Sequence, residues 1–465
     1  MLKFIKKEYV TILDWAFRIC YLLLTFATFN VFLYDSAIQP VLVKLCIALG
    51  GLTIVGRICF FRNYVKTSYW RLLMVFCLSF GMSIFMNRAY GGVSADVKWL
   101  VWTGFLFFLL YVCDTTREVA SYKKEFTVFA HIMIAYGTFA ASAGIHLMFS
   151  LYKKQWYTVN KEKLTAGFSE GRLWGVYTDP NYGGVFTVVV ILLSIYFLRN
   201  MKRWRKILYI LVLIPNCFYI ICSGSRTAAL ALITAICFWV VYTTIYKYGM
   251  IRSVIISLVF LVFFLCAFFG GASYVIKQYN LVERNQITVI NVKKVIENQI
   301  KKENIDVALR RKELLNDVSS GRTRLWVSGF EVWKTSPIYG TGYNSFIPYA
   351  KQNVPDTYAI KESGREFMSL HNNYLNVLVY QGLIGFAILL LFMFLVLKRY
   401  WKGIQKIPAA DKDYAAVLSA CVLVVAISMF FLLDGFYTNS PESFVLWTFL
   451  GYLMHSFTSL EEAEK

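Results

Sequence analysis

His371 is the residue of this chain best suited to acid–base chemistry. It stands in a polar stretch immediately before a long apolar run. The other three histidines, which fall inside or at the ends of apolar runs, are His131, His146 and His455. A neutral imidazole can accept a proton from a hydroxyl group near neutral pH. We therefore expect His371 to act as a base; the alternative is a surface histidine at the start of a helix.

Two glycines follow His371 inside the apolar run, in the pattern His371-Asn372-x9-Gly382-x-x-Gly385. Glycine lacks a Cβ, so it permits a kink or the close approach of another segment. The pattern predicts one of these two features in the helix that follows His371.

Arginine stands near the predicted start of a helix in two segments. Ser223-Gly-Ser-Arg226 opens one apolar run, and Ser320-Gly-Arg322-Thr-Arg324 opens an amphipathic stretch over 323–334. The free N–H groups of a helix start attract anions, and the guanidinium fork fits phosphate oxygens. These arginines are thus candidate anion ligands; the alternatives are a snorkelling arginine at 226 and a solvated basic face at 322 and 324.

The fourth candidate segment is Tyr177-Thr-Asp179-Pro180-Asn181. Asp179 can cap a helix that begins at Pro180. Alternatively, Asp179 or Asn181 could hydrogen-bond the hydroxyl groups of a ligand, with Tyr177 as a stacking surface.

The composition describes the scaffold that must position these residues. Of 465 residues, 58% are hydrophobic and 16% are charged, and the mean hydropathy is +0.54. Apolar runs long enough to cross a bilayer recur along the whole chain. They predict an all-α polytopic membrane protein with about twelve spans. A soluble enzyme, a secreted disulfide scaffold and a disordered chain are excluded. The predicted spans are 15–34, 37–60, 70–87, 97–113, 126–151, 182–198, 206–222, 226–246, 253–276, 373–397, 413–433 and 442–458.

The distribution of Lys and Arg predicts the orientation. The net charge is +21, and Lys and Arg cluster in alternate short loops, which the positive-inside rule assigns to the cytoplasm. The short loops between them hold only Arg88, Lys98 and Arg226. Both termini are then cytoplasmic, and the loops 152–181 and 277–372 face outside. We expect membrane helices over 1–276, a large helical outer loop over 277–372 between spans nine and ten, and the last three spans over 373–465. Nucleic-acid binding is not expected, because the positive charge has this other cause.

Metal sites and disulfides are not expected. The ten cysteines lie in or at the edge of apolar runs, and the sequence has no Cys/His cluster, no H-E-x-x-H and no phosphate-binding P-loop motif. Arg18 and Arg57 lie within or near predicted spans, and we expect both to snorkel towards the membrane surface.

These motifs resemble those of the O-antigen ligase and O-antigen polymerase superfamily. Arg226-x3-Leu230 resembles its R-x3-L element, and His371-Asn372-x9-Gly382-x-x-Gly385 resembles its H-[NSQ]-x9-G-x-x-G element. The stretch from Arg322 through Pro337-Ile-Tyr-Gly340-Thr-Gly342 is similar to part of its large outer loop. The resemblance covers most of residues 170–435.

The resemblance implies a membrane-embedded glycosyltransferase of the GT-C kind, inverting and independent of metal or cofactor. Its donor would be an oligosaccharide on undecaprenyl diphosphate, at the outer face of a bacterial cytoplasmic membrane. By the same resemblance, His371 is the general base, Arg226 and Arg322 (or Arg324) bind the diphosphate, and Asn372 orients the site. Membrane lipid and other polysaccharide export proteins are the partners it implies.

The sequence leaves open which reaction this protein carries out. A polymerase adds repeat units of a capsular or O-antigen polysaccharide to one another, and the Lys/Ile/Phe/Tyr-rich composition slightly favours it. A ligase transfers the finished glycan to another acceptor. A flippase for lipid-linked sugars and a non-catalytic scaffold are further alternatives, although a flippase would be expected to have pseudo-symmetric halves.

Overall fold

The computed structural model describes residues 7–158, 163–294, 321–361 and 366–464. Most of them are helical. The elements are α1 (Lys7–Thr28), α2 (Ile38–Cys59), α3 (Trp70–Met86), α4 (Val93–Phe105), α5 (Val119–Phe149), β1 (Lys153–Tyr157), β2 (Lys163–Ser169), β3 (Arg172–Gly175), α6 (Pro180–Asn200), α7 (Lys206–Ser223), α8 (Arg226–Lys294), α9 (Arg322–Thr335), α10 (Phe346–Asn353), α11 (Tyr358–Lys361), α12 (Asn373–Ile404), α13 (Lys412–Ser428) and α14 (Pro441–Ala463). They form two compact units, Met1–Ile132 with Arg322–Lys465, and Met133–Gly321.

The helices confirm a polytopic membrane protein. Among the described residues, eight helices are long and apolar enough to cross a membrane. The predicted apolar runs coincide closely with described helices, but the count of about twelve spans stays a prediction. The stretch 283–317 is rich in Lys, Glu, Ile and Val, which predicts a helix. It is helical as far as Lys294, and the rest lies outside the described residues.

One prediction for the second unit needs correction. The expectation of an all-α chain is wrong for residues 153–157 and 163–175, which form a three-stranded antiparallel sheet in the order β1-β2-β3. These strands are too short to give a clear alternation of apolar residues. The signal that could have revealed them is the Glu170-Gly171 turn, in which both residues have the positive φ of a tight hairpin turn. The element α8 is broken at Gly249, whose backbone is not helical (φ +75°), so the predicted spans 226–246 and 253–276 lie in separate helical segments on either side of the break.

Buried arginines organise the first unit, and the expectation that they snorkel is wrong. Arg18 is 1% exposed and pairs with Glu125, while Arg57 is 7% exposed and pairs with Asp14 at 2.8 Å. Both guanidinium groups also donate to the carbonyl oxygen of Leu109. This carbonyl belongs to a π-helical turn, Leu106–Tyr111, that continues α4. The arginines are therefore held inside because they neutralise buried carboxylates and satisfy carbonyl groups at a helix end.

The helix α12 is broken at Gly382, where φ is +64°. The segment Pro337–Gly342, here called the wedge, lies against the break. The backbone N–H of Thr341 donates to the carbonyl of Val379 at 2.9 Å, and the N–H of Leu383 donates to the carbonyl of Pro337 at 2.8 Å. The wedge thus supplies hydrogen bonds that the broken helix cannot make within itself.

Glycine is required on both sides of this contact. A Cβ on Gly382 would lie 2.2 Å from the carbonyl oxygen of Ile338, and a Cβ on Gly340 would lie 2.4 Å from the carbonyl carbon of Tyr380. Helix α3 completes the arrangement, since the Asn87 amide donates to the carbonyl of Gly340 at 2.9 Å. The kink and the close approach predicted from the glycine pattern are thus one feature.

The substitution Gly382→Ala tests this contact. The added methyl group would displace the wedge and strain a positive φ, so we expect a loss of about 3 kcal/mol or more of stability. Gly51→Ala in α2 is the control, because nothing lies within 4 Å of its added Cβ. The apparent melting temperature in detergent measures both. Equal melting temperatures for the two variants would contradict the role given to the wedge.

Candidate functional site

His371 lies immediately before α12 in an unusual backbone conformation. Its φ is +52°, in the left-handed region that residues other than glycine seldom adopt. Asn372 follows as the helix cap, and its side chain accepts a hydrogen bond from the N–H of Leu375 at 3.1 Å. The imidazole is half-buried. Strained backbone of this kind is concentrated at functional sites.

The residues before His371 support this conformation. The Ser369 hydroxyl accepts from the His371 N–H at 3.2 Å. The Asn376 side chain bridges back from α12: it donates to the same hydroxyl at 3.1 Å and accepts from the N–H of Leu370 at 3.0 Å. The loop is therefore fixed by polar side chains on both sides of the histidine.

Aromatic rings connect His371 to Arg324. The Phe367 ring lies 6.4 Å from the imidazole, edge-on, and stacks on Tyr358 at 6.0 Å. The Arg324 guanidinium lies 5.2 Å from the centre of the Tyr358 ring, within the range of a cation–π contact. Arg324 itself is exposed.

Arg322 is the first residue of α9, and its guanidinium lies 5.8 Å from the Phe431 ring. The helix packs next to the histidine segment, since a Cβ on Gly329 would lie 2.5 Å from the side chain of Leu370. The residue spacing predicts one apolar face on this helix, made of Leu325, Trp326, Gly329, Phe330 and Trp333. This prediction is partly wrong, because Phe330 is 45% exposed and Val332 is buried instead. The first unit thus contains His371, Asn372 and both candidate arginines of α9.

The loop between α13 and α14 also belongs to this site, and sequence reasoning missed it. Asp434 accepts three hydrogen bonds at one carboxylate oxygen, from the Asn373 amide at 3.0 Å and from the backbone N–H groups of Phe436 and Tyr437 at 2.8 Å each. The Asn373 side chain in turn accepts from the N–H of Gly435 at 2.9 Å. An acidic residue at the end of an apolar run, next to a glycine, was the signal that could have found it.

Burial dominates the titration of Asp434. Its carboxyl is 7% exposed. Burial raises the pKa of this carboxyl to about 6, although the hydrogen bonds from Phe436, Tyr437 and Asn373 each act to lower it. Asp434 is therefore charged at neutral pH at a cost to stability.

In the second unit, Asp179 caps α6 as predicted. Its carboxylate accepts from the N–H of Asn181 at 2.6 Å and from that of Tyr182 at 3.3 Å, and Pro180 begins the helix. The Asn181 side chain accepts from the Arg172 guanidinium at 2.6 Å. Arg172, which the sequence analysis did not select, also donates to the carbonyl of Ser223 at 2.8 Å. It joins the start of α6 to the segment that carries Arg226.

Arg226 is the exposed first residue of α8, after the cap Ser225, whose hydroxyl accepts from the N–H of Ala228 at 3.2 Å. The starts of α6 and α8 are in contact, because a Cβ on Gly184 would lie 3.0 Å from that of Ala228. Two helix starts with an arginine beside each form a region that attracts anions.

Tyr177 is placed differently from its predicted use. It is 2% exposed, and its ring packs edge-on against Tyr219 at 5.3 Å. Stacking of this ring on a sugar stays a prediction, and the packing does not favour it.

Fold and site together define a polytopic helical membrane protein with a strained histidine and two arginines in one unit and an anion-attracting pair of helix starts in the other. Residues 211–390 match the family model described as O-antigen ligase. No curated protein matches the chain. This match confirms the resemblance to the O-antigen ligase and polymerase superfamily that the motifs indicate. The match includes Arg226, Arg322 and His371, whereas Asp434 lies beyond it.

The raised pKa of Asp434 predicts a pH-dependent effect of Asp434→Asn. A raised pKa stabilises the folded protein at low pH, and this contribution is lost as the pH rises from about 4 through about 6. The loss is about 3 kcal/mol. An uncharged amide avoids it, so the variant should gain apparent melting temperature relative to wild type at pH 8 but not at pH 4. If the difference in melting temperature between Asp434→Asn and wild type does not change with pH, the raised pKa of Asp434 is contradicted.

Proposed function

We propose that this protein is a polymerase of lipid-linked oligosaccharides. It would transfer a growing chain from undecaprenyl diphosphate to a hydroxyl group of the next lipid-linked repeat unit. The reaction would take place at the outer face of a bacterial cytoplasmic membrane, with both termini of the chain in the cytoplasm. The observation that carries the proposal is His371, held in a strained conformation within the part of the chain that matches the family.

His371 is the general base of this reaction. As the acceptor oxygen bonds to the anomeric carbon of the donor sugar, the bond from that carbon to the phosphate oxygen breaks, and the acceptor proton passes to the imidazole. Attack from the side opposite the leaving group inverts the configuration at the anomeric carbon. The lipid diphosphate is already an activated leaving group, so the transfer needs no nucleotide.

The arginines stabilise the departing diphosphate. Negative charge develops on its oxygens as the glycosidic bond breaks, and guanidinium groups near helix starts stabilise that charge. We assign this role to Arg226 and Arg322, with Arg324 as an alternative to Arg322. Asn372 holds the imidazole in position, as expected from its cap on α12. Asp179 and Asn181 are the proposed contacts to sugar hydroxyl groups.

A ligase is the alternative, and the description of the matching family favours it. It would use the same base and the same diphosphate contacts, but the acceptor would be the core of a glycolipid or another carrier. Other polysaccharide export proteins are proposed partners in either case. A flippase has less support, because the family match concerns glycan transfer.

The substitution His371→Ala tests the role of the base. We expect transfer to fall by a factor of about 10² to 10⁴, because no other group would take the acceptor proton. Glycan length is read on a gel from cells that carry wild type, His371→Ala, or the control His131→Ala, which alters an exposed histidine of α5.

Each pattern on the gel has one meaning. A ladder that collapses to a single repeat unit with His371→Ala, and not with the control, supports a polymerase. Long polymer that stays on the lipid carrier supports a ligase. An unchanged ladder would overturn the proposed function.

The substitutions Arg226→Lys and Arg322→Lys test the diphosphate contacts. Lysine keeps the charge but loses the planar fork, so we expect transfer to fall about tenfold in each variant. Arg205→Lys is the control, because this exposed arginine also lies over a ring, that of Trp204 at 5.1 Å. Full activity in Arg226→Lys would instead indicate an arginine that only faces the membrane surface.

A further inference from the structure

The loop between α13 and α14, residues 429–440 and here called the last loop, contacts both functional segments of the first unit. Its Phe431 ring lies 5.8 Å from the Arg322 guanidinium. Its Phe430 ring lies 4.3 Å from Tyr374, near the start of α12. The carbonyl of Met429 accepts from the N–H of Asn373 at 2.8 Å. The last loop is therefore part of the surroundings of His371, although the loop lies about 60 residues after His371 in the sequence.

Asn373 and Asp434 link the start of α12 to the last loop by side-chain hydrogen bonds. Asn373 is completely buried, and its side chain uses both ends of its amide: one donates to Asp434 at 3.0 Å, and the other accepts from Gly435 at 2.9 Å. The Tyr437 ring of the last loop also packs edge-on against the Tyr380 ring of α12, with the ring centres 5.7 Å apart. Hydrogen bonds in such dry surroundings are strong, and breaking one leaves a buried group unsatisfied.

His371 is only two residues from Asn373, and its backbone has little freedom because its φ of +52° lies in a narrow region. A shift of Asn373 would therefore be passed on to the imidazole. Displacement of a catalytic group by about 1 Å is enough to reduce a rate about a hundredfold.

We propose that Asp434 is a positioning residue for His371. Through the Asn373 amide, it holds the backbone that carries the imidazole at the start of α12. The inference rests on the proposed function, in which His371 is the base. Asp434 acts through Asn373 and does not itself touch the substrate.

Two substitutions at Asp434 separate positioning from charge. Asp434→Asn retains an oxygen that can accept from Asn373, Phe436 and Tyr437, so the start of α12 should stay in place. Asp434→Ala removes the acceptor and leaves the three donors without it. We expect Asp434→Ala to shorten the glycan as His371→Ala does, and Asp434→Asn to restore the full length.

A second measurement does not depend on activity. The exchange of the imidazole Cε1 proton in D₂O, followed by peptide mass spectrometry on the purified full-length protein in detergent, reports on each histidine separately. We expect exchange at His371 to be about fivefold faster in Asp434→Ala than in wild type, and within about twofold of wild type in Asp434→Asn. His131, His146 and His455 serve as internal references and should not change. Asp356→Ala, at an exposed aspartate of the same unit, is the matched control.

The outcomes distinguish the inference from the proposed function. Unchanged exchange at His371 in Asp434→Ala would overturn the positioning role. Faster exchange at all four histidines would also overturn it, because it would show a general loss of structure. If Asp434→Ala does not fold, Asn373→Ala tests the same link from the other side, with the same expected result. Faster exchange at His371 alone, together with a normal ladder in His371→Ala, would support the positioning role and disprove the base.

Discussion

The first unit depends on the break of α12 at Gly382. Backbone polar groups within an apolar environment must be satisfied by protein, because no water is available there. The break leaves such groups open, and the wedge satisfies them from outside the helix. The wedge can do so only because α9 ends at Thr335 and because Gly340 and Gly382 allow the two backbones to touch. The position of α9, with Arg322, and the course of α12, with His371, thus follow from one backbone contact.

Charge is buried in the first unit in two different ways. Arg18 and Arg57 each face a carboxylate, so that their desolvation is offset by an opposite charge. Asp434 is held mainly by amide N–H groups, and its pKa rises to about 6. The arginines of these pairs also donate to a carbonyl group at the end of the helix that α4 begins. Burial makes the charged form of Asp434 less favourable. Asp434 also contacts the start of α12, two residues after the proposed base His371.

Sequence reasoning predicted the helices well, because runs of apolar residues are a strong signal in a membrane protein. It also predicted the cap Asp179 and the importance of the glycines near Gly382. It could not predict the pairing of the Gly340 and Gly382 segments, since contacts between distant backbone segments leave no periodic pattern. Asp434 was missed for the same reason, and the short strands β1–β3 were missed because few residues define them. Among the candidate site residues, Arg322, Arg324, His371 and Asn372 share the first unit, which the sequence alone did not establish.

The positive φ of His371 has a consequence for how this chain can change over time. Glycine and asparagine adopt the left-handed region at lower energy than most residues. Replacement of His371 by either would relieve about 1 kcal/mol of strain while it removed the imidazole. A chain released from selection for activity would therefore drift towards a more stable protein at this position. Retention of histidine at position 371 would then indicate continued selection for activity, because another residue would make the folded protein more stable.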